Sequence, residues 1–221
     1  MNRKWTFGFV LFAFIGFGGL NGCGGGTAVG GSSTSSENVT FEAWDGYRGG
    51  SLAESETLFE DALGVDSQNS EAHNGLGWVN FQKAGQEGNT EQRESLLQKS
   101  RDSFQKATAA NPENTDAWVG LSGLELHLGN WEDARDAANR ALSLNPRYFS
   151  SHDNIDFRDV HLILAEAYFF LGAFFHTEIT PDPNNSLHHL DAIDPGYKEQ
   201  YHDNGFTPPD LITKIGELQG L

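Results

Sequence analysis

The chain has 221 residues, with 14 basic against 31 acidic side chains and a formal net charge of −17. A surface this acidic repels nucleic acid and anionic headgroups, which excludes both as electrostatic partners. Its one cysteine excludes an internal disulfide, so stability has to come from packing.

At the start of the chain, Arg3 and Lys4 precede the uncharged run Trp5 to Leu20, which stops at Leu20-Asn21-Gly22-Cys23. This is the pattern of an export signal rather than of a folded segment. The run's sixteen residues reach about 24 Å as a helix, short of a hydrocarbon core of about 30 Å, which disfavours a permanent transmembrane anchor. The Leu-x-Gly-Cys ending resembles the lipobox of bacterial lipoproteins, whose cysteine is acylated and becomes the first residue of the mature chain. That resemblance implies a signal peptide over residues 1–22 and makes Cys23 a lipid tether, not a nucleophile. It also implies a protein held on a membrane of the cell envelope, with Gly24 favouring the periplasmic face of the outer membrane. An ordinary cleaved secretion signal is the other reading. Each buried methylene contributes about 0.8 kcal/mol, so two or more acyl chains hold a protein stably on a bilayer. Residues 23–36 are rich in Gly, Ser and Thr, lack charge, and read as a flexible tether.

The folded part is expected over residues 37–221, beginning with a helical pair at about 36–69. Ala43, Leu52, Ser55, Phe59 and Ala62 carry its spacing, and Ser51 with Glu54 forms a capping box. A second pair spans about 70–114. Ala72, His73, Leu76 and Gly77 lie in its first helix, and Ser100, Phe104, Ala107 and Pro112 in or just after its second. Relative to the next pair it holds eleven extra residues, placed within Gln86 to Leu97. Eleven residues make about three α-helical turns, so the spacing predicts a second helix lengthened at its start and projecting above its neighbours.

The third pair, 115–148, has the clearest pattern. Ala117, Trp118, Leu121, Ser122, Glu125 and Leu128 form one stripe, Gly129-Asn130 turns the chain, and Trp131, Ala134, Ala138, Ala141 and Leu142 form the other. Asn130 with Asp133 caps the second helix and Asn145-Pro146 ends it. Thirty-four residues separate Ala107-x₄-Pro112 from Ala141-x₄-Pro146, and Phe104 falls on Ala138. A partial fourth unit at 158–175, with Leu164, Ala165, Tyr168, Leu171, Gly172 and Phe174, repeats the third at an offset of 43, after a loop of nine residues at about 149–157. Beyond Phe175 the pattern fails, and residues 176–221 read as a cap. Thr207, Pro208 and Asp210 start a last helix whose stripe, Leu211, Ile212, Ile215 and Leu218, is expected to cover the exposed end.

A fixed period of this length, with Asn74-Gly75-Leu76-Gly77-Trp78 and Asn111-Pro112-Glu113-Asn114, resembles the tetratricopeptide repeat family over roughly residues 36–175. The resemblance implies an all-α fold: a right-handed superhelical stack of helical hairpins, an α-solenoid, closed by a C-terminal capping helix. It also implies a non-enzymatic scaffold whose first helices line a concave groove. The groove slots fall on Trp44, Tyr47, Arg48, Asn74, Trp78, Phe81, Gln82, Val119, Leu126, His127, Leu162, Glu166, Phe169 and Phe170. So aromatic a lining suits a peptide or protein segment, from another envelope protein or a second copy of the chain. Thr40, Trp44, Val119 and Gly123 do not supply the Lys, Arg and Asn of a carboxylate clamp. Two alternatives stay open: the rings pack against the insertions, the C-terminal segment or a second copy, or the protein captures a small ligand, a glycan or a metal for transport.

Candidate chemistry is sparse. His176, His188, His189 and His202 lie among Asp182, Asp191, Asp194 and Asp203, at spacings that match no ligand motif. Asp182-x-Asn184-x-Ser186 opens like a calcium loop, but Leu187 stands where Gly is needed and Ile193 where the bidentate Glu belongs. No Gly-x-Ser-x-Gly, phosphate-cradling loop or His-Glu-x-x-His occurs. No catalytic residue, cofactor or metal is therefore expected.

Overall fold

The computed structural model describes residues 35–175, 183–201 and 207–220. Every regular element among them is helical: α1 (Ser36–Arg48), α2 (Leu52–Val65), α3 (Ser70–Gln86), α4 (Thr90–Ala110), α5 (Thr115–His127), α6 (Trp131–Leu144), α7 (Phe157–Phe170), α8 (Ser186–Ile193) and α9 (Pro208–Leu218), with a 3₁₀ turn at Lys198–Tyr201. Consecutive helices pair as α1/α2, α3/α4, α5/α6 and α7/α8. The odd-numbered helices also touch in series, α1 to α3 to α5 to α7, while α2, α4 and α6 do not touch one another. The result is a stack of hairpins with the odd helices as one layer and the even helices as the other, an α-solenoid.

The hairpins recur because the same local chemistry recurs. Gly50, Gly129 and Gly172 take left-handed φ values of +81°, +77° and +78°. Each ends an odd helix with a pair of backbone bonds, such as Gly129 N to Leu126 O and Asn130 N to Glu125 O, that satisfy the last carbonyls. Between hairpins an asparagine caps the incoming helix: Asn69 accepts from Ala72 N and Asn114 from Ala117 N. Their amides also reach back one repeat, Asn69 to Ser36 and Thr40, Asn114 to Ser70 and Glu71. Two expected caps do not form as such. Ser51 opens α2 without a side-chain cap bond, and Asn130 opens α6 likewise, its amide N–H donating to the buried Glu125 carboxylate with Oε2 2.7 Å away.

Neighbouring hairpins interlock by size. The ring of Phe59 fills the space beside Gly75, where a Cβ would stand 2.1 Å from it, and the ring of Phe104 lies between Gly77 and Gly120, at 2.5 and 2.3 Å from their missing Cβ atoms. Both rings are fully buried. In the third hairpin the slot of Phe104 holds Ala138, and at the offset of 43 the slot of Gly120 holds Ile163, which packs against the main core. Bulk has changed sides of the interface.

The eleven-residue insertion lengthens both helices of its hairpin, not the second alone. At 17 residues α3 is one turn longer than α1 or α5, at 13 each, and at 21 residues α4 is two turns longer than α2 or α6, at 14 each. The turn between them keeps three residues, 87–89, as in the first and third hairpins. In-phase extension preserves every buried slot and raises a ledge above the stack. Lys83 pairs with Glu56 across α2 and α3, while Arg101 forks onto buried Glu125 at 2.8 and 2.6 Å, tying the base of the ledge to both neighbours.

The C-terminal segment is more ordered than its composition suggests. Helix α8, capped by Asn185, pairs with α7 as the second member of a fourth hairpin. Helix α9 forms with the expected Thr207–Asp210 capping box and Pro208 at its start. Leu211 and Ile215 bury against Leu190, Tyr197 and Ala165, whereas Ile212 stays 38 % exposed because only one narrow edge of α9 meets α7. Cys23, the signal and most of the tether lie outside the described residues.

Candidate interaction site

The odd-helix face is where the sequence places a groove, and half of it is already filled. Past α6 the chain makes a tight excursion over residues 149–156. It is held by a bridge between Phe149 and Asp156 and by the bonds Ser150 N to Ile155 O and Phe157 N to Tyr148 O, both 2.8 Å. The tip of this loop crosses to α1. There the His152 ring stacks on Trp44, with centroids 3.5 Å apart and planes within 5°, and the Tyr47 hydroxyl donates to Asp153 at 3.2 Å. Arg48 Nη1 lies 3.5 Å from His152 Nδ1, and the Arg48 guanidinium also pairs with Asp45.

Beneath the loop, Asp116 at the start of α5 collects three donors. Asn74 Nδ2 and Trp78 Nε1 bind one carboxylate oxygen at 2.7 and 2.9 Å, and the Tyr148 hydroxyl binds the other. Tyr148 stands in the slot held by Asn69 and Asn114 in the earlier repeats, so the inter-repeat clasp continues with a phenol in place of an amide. Burial and the Asp116 charge push the Tyr148 phenol far up, and burial with Asp153 does the same to Tyr47. Burial raises the Asp153 carboxyl to about 6, the Tyr47 bond lowering it and Asp116 raising it. Burial also lowers the His152 imidazole, leaving a neutral ring on Trp44.

The groove slots therefore sort into three groups. Trp44, Tyr47, Asn74, Trp78 and Val119 are buried beneath the loop or in the interface between helices. Leu162 and Phe169 pack on the α8–α9 cluster, and Glu166 accepts from Gln219 of the cap at 2.8 Å. Phe170 stacks on Trp131 at 4.3 Å and still stays 36% exposed. A third group keeps accessible surface: half-buried Phe81, Gln82 and Leu126, with exposed His127 and Arg48. Phe81 meets His127 edge to face at 5.9 Å and leans on Trp78 at 6.4 Å, making one aromatic strip at the foot of the ledge. Sequence reasoning did not find Asp116, Tyr148, His152 or Asp153. The available signal was Tyr148 in an asparagine slot just before an insertion.

Of the late histidines, His189 stacks on Tyr168 with its Nδ1 2.9 Å from that of His161. Burial and two neighbouring imidazoles push it down to about 3. His176, His202, Asp182 and Asp203 lie outside the described residues, among which no three His, Cys, Asp or Glu side chains converge to hold a metal.

Such a molecule is a helical-hairpin repeat protein whose odd-helix face is partly covered by its own loop. Residues 86–148, from the end of α3 through the third hairpin, match the tetratricopeptide repeat family model. The fold is shared with TTC0263, a thermophilic TPR protein of Thermus thermophilus (14% identity, TM-score 0.56, 85% of this chain and 82% of that one). It is shared too with YrrB, described as a TPR protein with an unusual peptide-binding site (18% identity, TM-score 0.57, 84% and 87%). The APC/C hetero-tetramer Cut9–Hcn1 is similar at 19% identity and TM-score 0.54 over 82% of this chain, which spans 30% of that one. No curated protein matches the chain in sequence.

Proposed function

We propose that the protein is a non-enzymatic interaction module, tethered to a membrane of the bacterial envelope through lipidated Cys23, that holds a peptide or protein segment on its odd-helix face. The observation that carries this reading is the strip of Phe81, Leu126 and His127, left accessible on a rigid face between the ledge and the filled half. Ring edges on a fixed scaffold give contact area at little conformational cost. The surface charge of −17 favours partners that bring cationic or neutral segments. A photo-crosslinking residue at position 127, with the adduct identified by mass spectrometry, tests the strip. One reproducible protein adduct, lost on adding Phe81→Ala, is expected; adducts that ignore Phe81 overturn the strip as the contact surface. Fractionation of Cys23→Ala tests the tether, with release from the membrane expected.

A further inference from the structure

Residues 149–156 resemble a bound segment more than a connector. Their backbone bonds are internal to the loop, so the grip on α1 comes from side chains: a planar ring on Trp44, a carboxylate on the Tyr47 hydroxyl, and the Arg48 contact to His152. We propose that this loop is an intramolecular ligand of a second peptide site, formed by Trp44, Tyr47 and Arg48 on α1, and that a partner segment carrying a planar side chain followed by a carboxylate displaces it. The proposal deepens the interaction-module reading, on which it rests, by stating the chemistry of the segment recognised.

The occupant leaves its site incompletely satisfied. The indole N–H of Trp44, in a residue only 4% exposed, has no hydrogen-bond acceptor among the described residues. A buried unpaired donor carries a desolvation penalty that a better-matched chain removes by supplying an acceptor. A covalently attached segment competes at high effective concentration, and an imperfect fit is what keeps it displaceable. The loop stem also carries the most exposed large apolar side chain of the described residues, Phe149 at 71%, and within residues 149–156 only Ile155 joins the hydrophobic core.

A peptide with the sequence of residues 147–157, fluorescently labelled, is titrated against the full chain and against the full chain with residues 149–156 replaced by a short Gly-Ser turn. The replaced chain is expected to bind the peptide at least tenfold more tightly than wild type does, and to lose that binding when the peptide carries His152→Ala and Asp153→Ala. Should the replacement unfold, the full chain with His152→Ala and Asp153→Ala in its own loop takes its place and is expected to gain binding of the unaltered peptide. Equal affinities for wild type and variant, or a folded variant that ignores the peptide, overturn the proposal. Crosslinks at position 127 that persist alongside such a failure leave the strip of the first reading standing and remove only this site.

Discussion

Two insertions of similar length meet opposite fates in this molecule. Eleven residues within the α3/α4 hairpin continue both helices in phase, so every buried slot stays in register and the extra turns rise as a ledge. Nine residues after Asn145-Pro146 cannot continue a helix, since proline and the asparagine turn have already ended α6, and they fold back over the odd-helix face. Position within the repeat, more than length or composition, decides whether added chain lengthens a hairpin or covers the odd-helix face.

The largest expected effect tests the base of the ledge. Phe104→Ala empties the space between Gly77 and Gly120 and is expected to cost about 3–5 kcal/mol in denaturant unfolding. A cost below about 1 kcal/mol would mean that the ledge hairpin is not anchored there. Next comes the floor beneath the loop. Asp116→Ala strands the donors of Asn74, Trp78 and Tyr148 and is expected to cost about 2–3 kcal/mol, with faster amide exchange over 148–156 and none over 90–97.

A pH series sharpens the contrast, because the loop buries an acid held by a hydroxyl, whereas the buried Glu125 at the base of the ledge is paired with Arg101. With its carboxyl raised from 3.8 to about 6, Asp153 is better tolerated protonated in the folded state. The stability it brings is complete below about pH 4 and lost as pH rises through 6. Asp153→Asn keeps an acceptor for Tyr47 and carries no charge, so it is expected to be more stable than wild type by roughly 1–2 kcal/mol at pH 7.5, the gain vanishing near pH 4. Thermal melts of both proteins at the two pH values decide it; a gain of equal size at both would remove the buried charge as its cause. The smallest effect is local. Asn89→Ala removes the cap that accepts from Gln92 N and is expected to cost about 1 kcal/mol, read as fraying of the first turn of α4 with no change at the loop.

The repeats were legible because their signals are local: spacings of three and four, glycine at the odd-helix turn, asparagine or proline after the even helix. The 34-residue overlay placed α5 and α6 within a residue or two, and the capping box placed α9. Sharing of the insertion between α3 and α4 was not legible, since helical composition does not say which side of a three-residue turn grows. Nor was α8, whose eight residues are too few for a periodic stripe to show. The loop's seat on α1 joins residues more than a hundred positions apart, a pairing no local pattern encodes. Aromatic slots raised the expectation of an interaction face and could not say that His152 and Asp153 cover part of the odd-helix face.

Phe59 against Gly75 and Phe104 against Gly120 give the first two junctions the same key, whereas at the third those slots hold Ala138 and Ile163. The third hairpin is consequently not interchangeable with the second. Duplicating the third one after the second would set a phenylalanine against a glycine correctly at one border, then bring Ala138 to a second Gly120 and leave a hole at the next. Any arrangement that sets the third hairpin before a glycine-fronted neighbour is penalised by shape alone, so the last border of the stack carries information about order that the first two, being alike, do not.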